Sequence, residues 1–524
     1  MRFFNTAGPV NCEDHYCLPP LHRLDLAHIL SLIDQKKYFV LHAPRQVGKT
    51  SFLLALMAYL NQQERYRCLY CNVEVGQFAR EDVAQAMRAI LGEIALRAAS
   101  HLGDPFPTSI WQQLLQESGG AALNPLLTKW AEASAKPLIL LVDEIDSLVG
   151  DTLVAVLRQL RAGYDKRPGS FPQSIILCGV RDVRDYRIYT DQGKSVITGG
   201  SAFNIKAKSL RLGDFDQAEV EALYHQHTDE TGQVFEPAAL ELAWQLTRGQ
   251  PWLVNALAYE VCFDVAAGRD RSQPITAALI NQAKEQLIFR RETHLDQLVD
   301  KLKEERVRRV IEPILAGQTE LEKLPEDDVQ YVADLGLIRT QEELQIANPI
   351  YREVIPRSLV YTTQLQITHQ PAWYVQADGR LNLTKLLAAF QQFFREHSEH
   401  WVERFDYKEA GPQLLLQAFL QRIVNSGGRI EREYALGRRR TDLLLIWPYA
   451  GGTQTTVIEL KILYKSLEET LQEGLTQTYE YMDHCQAAEG HLIIFDRRPG
   501  RAWEEKIFRR EETYQGQVIT VWGA

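Results

Sequence analysis

The 524-residue chain reads as an α/β protein with two separate chemical centres, and three stretches predict this. Tyr38 to Leu60, YFVLHAPRQVGKTSFLLALMAYL, is an apolar run, a glycine-bearing turn and an apolar-periodic segment. That is the pattern of strand, phosphate loop and helix. The second stretch, LILLVDEIDSL from Leu138, is apolar at every position before two acids, as in a buried parallel strand. The third, RTDLLLIW followed by TTVIELKI, puts an Asp and a Glu-x-Lys on successive strands. A parallel sheet with a helical lid is expected first, and a smaller α/β region near the C-terminal end.

Bulk numbers bound the reading. At about 150 residues per domain the length suggests about three or four domains. Hydrophobic content of 45% with 24% charged residues is ordinary for a globular protein. A net charge of -10 excludes a general basic coat, so nucleic-acid contact must come from local patches. The opening MRFFNTAGPVNCEDHY has acids early and no sustained apolar core, unlike a secretory signal. No run approaches the roughly 20 apolar residues needed to span a bilayer. A cytoplasmic location and no membrane partner are therefore expected. The seven cysteines are scattered and odd in number, which predicts reduced thiols rather than a disulfide framework. Cys68 and Cys71 form a CxxC inside the strand-like RCLYCNVEV, with no second pair to complete a zinc site.

The phosphate loop runs through Ala43, Pro44, Arg45, Gln46, Val47, Gly48, Lys49, Thr50 and Ser51. It meets GxxxxGK[ST] except that Ala43 stands where the first Gly belongs, a small cost if φ stays negative. Backbone N–H groups at the helix start cradle phosphates. Lys49 reaches the β- and γ-phosphates, and the Thr50 hydroxyl ligates Mg²⁺. Two adjacent acids at the end of a buried strand are costly unless metal or water satisfies them. Asp143 is accordingly assigned to Mg²⁺ and Glu144 to polarising the attacking water. Arg181, just past the strand SIILCGV, is the candidate γ-phosphate sensor, and Arg158 and Arg161 are candidates to act across a subunit interface. Before the loop, residues 1–33 are rich in Pro, His and aromatics, and His15 and Tyr16 are candidates to cover the base.

Residues 34–213 are the expected nucleotide core and 214–289 the lid. In the lid, Asp214 or Asp216 caps a helix, and Gly249-Gln250-Pro251-Trp252 leads into LVNALAYEV. APRQVGKT, LILLVDEID and GQPWLVNALA together resemble the AAA-like, STAND-type bacterial P-loop ATPases over roughly the first half of the chain. The resemblance implies ATP with Mg²⁺, used as a conformational switch as often as a fuel. Residues 290–370 begin with a charged helical stretch, and DVQYVADLGLIRTQEELQIANPIY has the helix, Gly turn and two short strands of a winged helix. This is similar to the domain that follows the ATPase in the same family, where it binds DNA or relays the nucleotide state. Residues 371–400 are read as linker and helix, and 401–524 as a second domain.

In that domain Leu416, Phe419, Leu420 and Ile423 mark an amphipathic helix that ends at paired glycines. RIEREYAL and RTDLLLIW follow as strands, and in TTVIELKI alternation puts Glu459 and Lys461 on one face with Leu460 on the other. Asp442 and Glu459 are hard oxygen ligands for Mg²⁺, and Lys461 would position water or offset transition-state charge. The set resembles the PD-(D/E)XK nuclease superfamily. Gln477 and Tyr481 on the next helix give a QxxxY spacing similar to the RecB-like branch, where this pair helps hold the active site and the nucleic-acid strand. A Glu usually completes such a site, and Glu433 is preferred slightly over Glu409. Arg438, Arg439 and Arg440, with Arg497, Arg498 and Arg501, are candidate phosphate contacts or solvated turns. Over the whole chain the resemblance is to bacterial AAA-like ATPases fused to this nuclease type. It implies ATP-gated, Mg²⁺-dependent cleavage of DNA, more than RNA, in defence against foreign DNA. An RNA-cutting effector, or a signalling switch whose nuclease-like domain only binds a partner or nucleic acid, are the alternatives. A second copy of the chain, in a homo-oligomer, is left open as a partner.

Overall fold

The computed structural model describes residues 2–182, 187–189, 196–198, 203–290, 293–315, 324–340, 344–359, 374–404, 416, 419–420, 429–436, 439–463, 466–496, 498 and 501–524; at 187–189, 196–198, 289, 293, 296–297, 299, 312, 356–359, 396–404, 429, 431–436 and 439–442 it describes backbone only. The chain divides into two compact units, Met1–Leu298 with Val329–Tyr351, and Val299–Asp328 with Arg352–Ala524.

The first unit is built on β1 (Tyr38–His42), β2 (Arg67–Asn72), β3 (Leu138–Asp143), β4 (Ser174–Gly179) and, after a short hairpin β5 (Arg187–Tyr189) and β6 (Val196–Thr198), β7 (Lys206–Arg211). The sheet order is β2-β3-β4-β1-β7 with every pairing parallel. Both β3 and β4 are buried at every residue, which is why their sequences show no polar alternation. Alternate residues feed two cores. Val40, Leu140 and Val142 join one with helices Val83–Leu102, Leu123–Ala133 and Gly150–Ala162, while Phe39, Leu41 and Leu141 join the other with helices Leu26–Asp34 and Lys49–Gln62. One strand, β4, separates the loop-bearing β1 from the acidic β3, as in the ATPases the sequence resembles.

The lid helix Gln217–Thr231 begins at Asp216, not Asp214. Asp216 accepts from Glu219 N at 2.8 Å while its own N–H donates to the Glu219 carboxylate at 2.9 Å, a reciprocal cap. Helices Pro237–Thr247 and Pro251–Tyr259 each carry proline in the first turn, where no N–H is missed. The segment Val329–Tyr351 returns to this unit with a helix end, Gly336 at φ +77°, and a two-stranded hairpin, β8 (Ile338–Arg339) and β9 (Gln345–Ile346).

The second unit carries a six-stranded sheet of β10 (Arg429–Leu436), β11 (Arg439–Tyr449), β12 (Gly452–Ile462), β13 (Glu489–Phe495), β14 (Phe508–Tyr514) and β15 (Gln517–Gly523) in the order β10-β11-β12-β13-β15-β14. The first three strands form an antiparallel meander. The helix Leu467–Cys485 then crosses over so that β13 runs parallel to β12. One sheet face, with Leu445, Ile458, Leu460 and Phe495, shares a core with Leu386, Phe390, Leu416 and Phe419. The other, with Leu444, Val457, Leu492 and Ile494, shares one with Leu475, Tyr481 and Met482 of the crossover helix. Ile423 and Glu409 lie outside the described residues.

The cysteine expectation needs one correction. Cys12 and Cys17 are joined as a disulfide, with Cα atoms 5.2 Å apart. The turn that brings them together is closed by Asp14 N and His15 N, both donating to Asn11 O. Cys68 and Cys71 are free and buried on β2, and burial pushes both thiols up. Among the described residues no helix is long and apolar enough to cross a membrane.

Candidate functional site

Gly48, at φ +98°, turns the chain out of the loop into helix Lys49–Gln62, a conformation that favours glycine. Positive φ in the loop falls on Gln46 and Gly48 and not on Ala43, so alanine is tolerated there. Ala43 instead extends β1, donating from its N–H to Gly179 O at 3.2 Å. Lys49 is 5% exposed, and its ammonium donates to Ala43 O and Pro44 O, each at 3.0 Å. Arg45 through Ser51 line a cavity of about 550 Å³, with Glu144 on its far wall.

Asp143 is fully buried at the tip of β3. Its Oδ2 accepts from Thr50 Oγ1 at 2.7 Å and from the Tyr70 hydroxyl at 3.0 Å, and its Oδ1 from Glu144 N at 3.0 Å. Glu144 sits at φ +56°, and burial raises its carboxyl above the ordinary range, an effect that Lys49 partly offsets. Lys49, Thr50 and Glu144 thus line one cavity, and Asp143 lies behind it, joined to it through its bond with Thr50.

The cavity's other wall comes from the N-terminal segment, more of it than the sequence suggested. Thr6, Pro9, Val10, Tyr16 and Leu18 line it, facing Trp252 of the lid. Val10 N donates to Ser51 Oγ at 3.0 Å, and Trp252 Nε1 donates to Thr6 O at 2.9 Å. Cys17 exchanges two 3.0 Å bonds with the Gln226 amide, and the Tyr16 hydroxyl lies 3.1 Å from His227 Nδ1. This makes the segment a strap fixed to helix Gln217–Thr231. His15 does not line the cavity; its Nδ1 accepts from Asn11 N at 2.9 Å. Arg23 is a contributor that sequence reasoning missed. It donates to Val47 O at 3.2 Å and lies 4.4 Å from the Phe215 ring centre. An isolated Arg before the first strand gives no signal of that role.

Arg181 does not line this cavity. Its Nε lies 3.4 Å from Asp334 Oδ2 and its guanidinium 4.8 Å from the Tyr331 ring centre. Arg158 and Arg161 are exposed on helix Gly150–Ala162.

In the second unit the ladder aligns the expected acids. Arg432 stands opposite Leu443 and Tyr434 opposite Thr441, which leaves Glu433 and Asp442 at the intervening position. The β11–β12 ladder reaches Leu443 opposite Ile458, and Asp442 and Glu459 are the next residues beyond that pair. The side chains of Glu433 and Asp442 lie outside the described residues. Glu459 is buried, and Lys461 Nζ lies 3.1 Å from its Oε1. Both alternate with Val457, on the face covered by the helix that carries Gln477 and Tyr481. Tyr481 is buried, and Gln477 Oε1 is a buried acceptor with no hydrogen-bond partner among the described residues. No group of three or more His, Cys, Asp or Glu side chains gathers to hold a metal among the described residues. Arg498 pairs with Asp496 and Arg501 with Glu505, which favours the solvated-turn reading for these two. Arg438 and Arg497, and the side chains of Arg439 and Arg440, lie outside the described residues.

The family of AAA-like domains matches residues 27–355. The chain belongs to that family. ATP with Mg²⁺ is the cofactor pair of such P-loop ATPases, and Lys49, Thr50, Asp143 and Glu144 fit it. Among solved structures the AAA-like chain is similar to a Walker-type ATPase of Pyrococcus abyssi, at 17% identity and a TM-score of 0.47 over 67% of this chain and 99% of that one. It is also similar to the RuvB Holliday junction branch migration motor of Thermotoga maritima, at 14% identity and a TM-score of 0.33 over 63% and 91%. Domain III of the Thermotoga maritima replication initiation protein DnaA matches at 12% identity and a TM-score of 0.31 over 53% and 98%. No curated protein sequence matches the chain.

Proposed function

We propose that this AAA-like protein binds and hydrolyses ATP in its first unit, and that the nucleotide state gates Mg²⁺-dependent cleavage of DNA by the second. The resemblance to fused ATPase–nucleases points to foreign DNA as the target. What supports the nuclease half is the placement of Glu433 and Asp442 at neighbouring positions of β10 and β11, beside Glu459 and Lys461 of β12 on the face that the Gln477–Tyr481 helix covers. The antiparallel meander followed by a crossover helix and a parallel strand supports the same reading.

In the first unit, Lys49 would hold phosphate charge, and Thr50 and Asp143 would hold the magnesium end of the nucleotide. Glu144 orients and polarises water. Its raised carboxyl is nearer to neutral pH, which makes it a better proton acceptor than an ordinary glutamate. Residues Tyr16 and Trp252 exclude solvent from the other end of the cavity.

In the second unit, Asp442 and Glu459 would hold Mg²⁺, with Glu433 completing the acidic row. The bound ion supplies Lewis-acid stabilisation of a phosphodiester in cleavage. Lys461 orients water from a position already neutralising Glu459.

Purified protein incubated with plasmid, single-stranded DNA and RNA, with Mg²⁺ or EDTA, tests this. Mg²⁺-dependent DNA cutting that is lost in Lys461→Ala at retained fold is the expected result; no cutting of any substrate rejects the nuclease. Cutting of RNA alone identifies the RNA effector. A second reading, a switch whose C-terminal unit binds nucleic acid without cutting, is favoured by the ion pair that Lys461 makes with Glu459.

A further inference from the structure

We propose that Tyr70 is a positioning residue for the magnesium-organising carboxylate of Asp143, an inference that rests on the nucleotide-site reading above. Parallel register sets Tyr70 opposite Leu141 and Asn72 opposite Asp143, so Tyr70 lies two residues short of the strand tip. Its ring belongs to the same buried core as Leu53 and Leu141, an ordinary place for an apolar side chain. A phenylalanine would satisfy that packing. The hydroxyl adds something else: it donates to Asp143 Oδ2 at 3.0 Å and borders the nucleotide cavity.

Asp143 is fully buried, so water cannot supply its hydrogen bonds and each donor fixes the carboxylate plane. Thr50 shares Oδ2 with Tyr70, but the Thr50 oxygen is also the magnesium ligand expected from the loop. Tyr70 has no second task, and its ring is held in place. The Arg97 guanidinium lies 5.1 Å from the ring centre and is itself bonded to Glu93 at 2.7 Å. A hydroxyl carried on a packed ring, one strand away, is a stiffer restraint than a rotatable threonine.

Partners that orient a metal-holding side chain are worth about 10–100-fold in metal affinity or activity when removed. The test titrates the full-length parent and Tyr70→Phe with a fluorescent ATP analogue, in EDTA and at graded Mg²⁺. In EDTA, Tyr70→Phe is expected to bind within about twofold of the parent, while the Mg²⁺ needed for half-maximal tight binding rises about 10–100-fold. In an Asp143→Asn background, Tyr70→Phe is expected to add no further shift, because the two act as one unit. Superimposing Mg²⁺ curves overturn the proposal, as does an equal loss of affinity with and without Mg²⁺, which marks a merely structural tyrosine. Should Tyr70→Phe fail to fold, Arg97→Leu loosens the ring while keeping the hydroxyl. It is expected to raise the Mg²⁺ requirement in the same direction, and no rise overturns the proposal. Lys49→Ala is run alongside: unchanged binding of the analogue in EDTA by that variant rejects the nucleotide site itself, whatever Tyr70 does.

Discussion

Glu144 and Lys49 both line the nucleotide cavity, and each has a separable consequence. Burial holds the Glu144 carboxyl above its ordinary range, so ionising it costs more in the folded chain than in the unfolded one. The folded state then binds that proton more tightly. The penalty is absent below the ordinary carboxyl range and fully present once pH exceeds the raised folded value. Glu144→Gln is therefore expected to raise the melting temperature at neutral pH, with the gain shrinking as pH falls through the raised folded value and gone below about 4.3, the ordinary glutamate value. In a phosphate-release assay the same variant should lose about 10²–10⁴-fold in hydrolysis while still binding nucleotide. Lys49→Ala removes a charge-assisted contact worth about 1.5–3 kcal/mol and should weaken ATP about 10–100-fold by calorimetry. At this scale the sequence was readable where chemistry leaves a fixed spacing: Lys49, Thr50, Asp143 and Glu144 meet as expected. Tyr70 and Arg23 were not readable, because an aromatic in a strand and an Arg before it look the same whether or not they touch the site.

The strap and the β10–β12 row show what elements add. Tyr16 ties the strap to the lid through His227, in a network that continues from His227 Nε2 to Gln233 at 3.0 Å. Tyr16→Phe would leave a buried imidazole nitrogen short of a partner, at a cost of about 1–3 kcal/mol in a urea melt. In residues 1–20 the sequence marked only His15 and Tyr16 as candidates to cover the base, and the rest of the strap was not readable, since its contacts to Ser51, Gln226 and Trp252 span long sequence separations. The acidic row, by contrast, follows from period-two alternation and strand register, both local, so Glu459 and Lys461 could be put on one face in advance. Their 3.1 Å pairing carries its own test. Lys461→Ala removes the cation beside a buried carboxylate, whereas Glu459→Gln with Lys461→Met removes both charges. The single variant should be the less stable, by up to about 3–5 kcal/mol, and the double variant should recover part of that loss. Equal denaturation midpoints would show that the pair is effectively solvated.

On the scale of the molecule, one chain carries two compact units, each with its own cores. Scanning calorimetry should resolve separate transitions, with saturating ATP and Mg²⁺ moving the first unit's alone. At a hundredfold excess over Kd the ligand adds about 2.7 kcal/mol to the unit that binds it. Apolar runs marked β1 to β4 and β10 to β12 as strands, while the pairing order of the sheets and the strands β14 and β15 were not read from the sequence. The division into units was less readable, because the first unit takes back Val329–Tyr351 after the chain has entered the second. Sequence patterns record neighbours along the chain, and such a return is decided by packing between distant segments. If the first unit controls and the second commits the chemistry, nicking of supercoiled DNA in Mg²⁺ must depend on the nucleotide supplied. The most direct measurement is the nicking rate of the wild type with ATP, with ADP and without nucleotide, beside Lys49→Ala with ATP. Different rates in the three nucleotide states, with Lys49→Ala in ATP matching the nucleotide-free wild type, is the predicted result; one common rate in all four, or no nicking in any, would contradict the account.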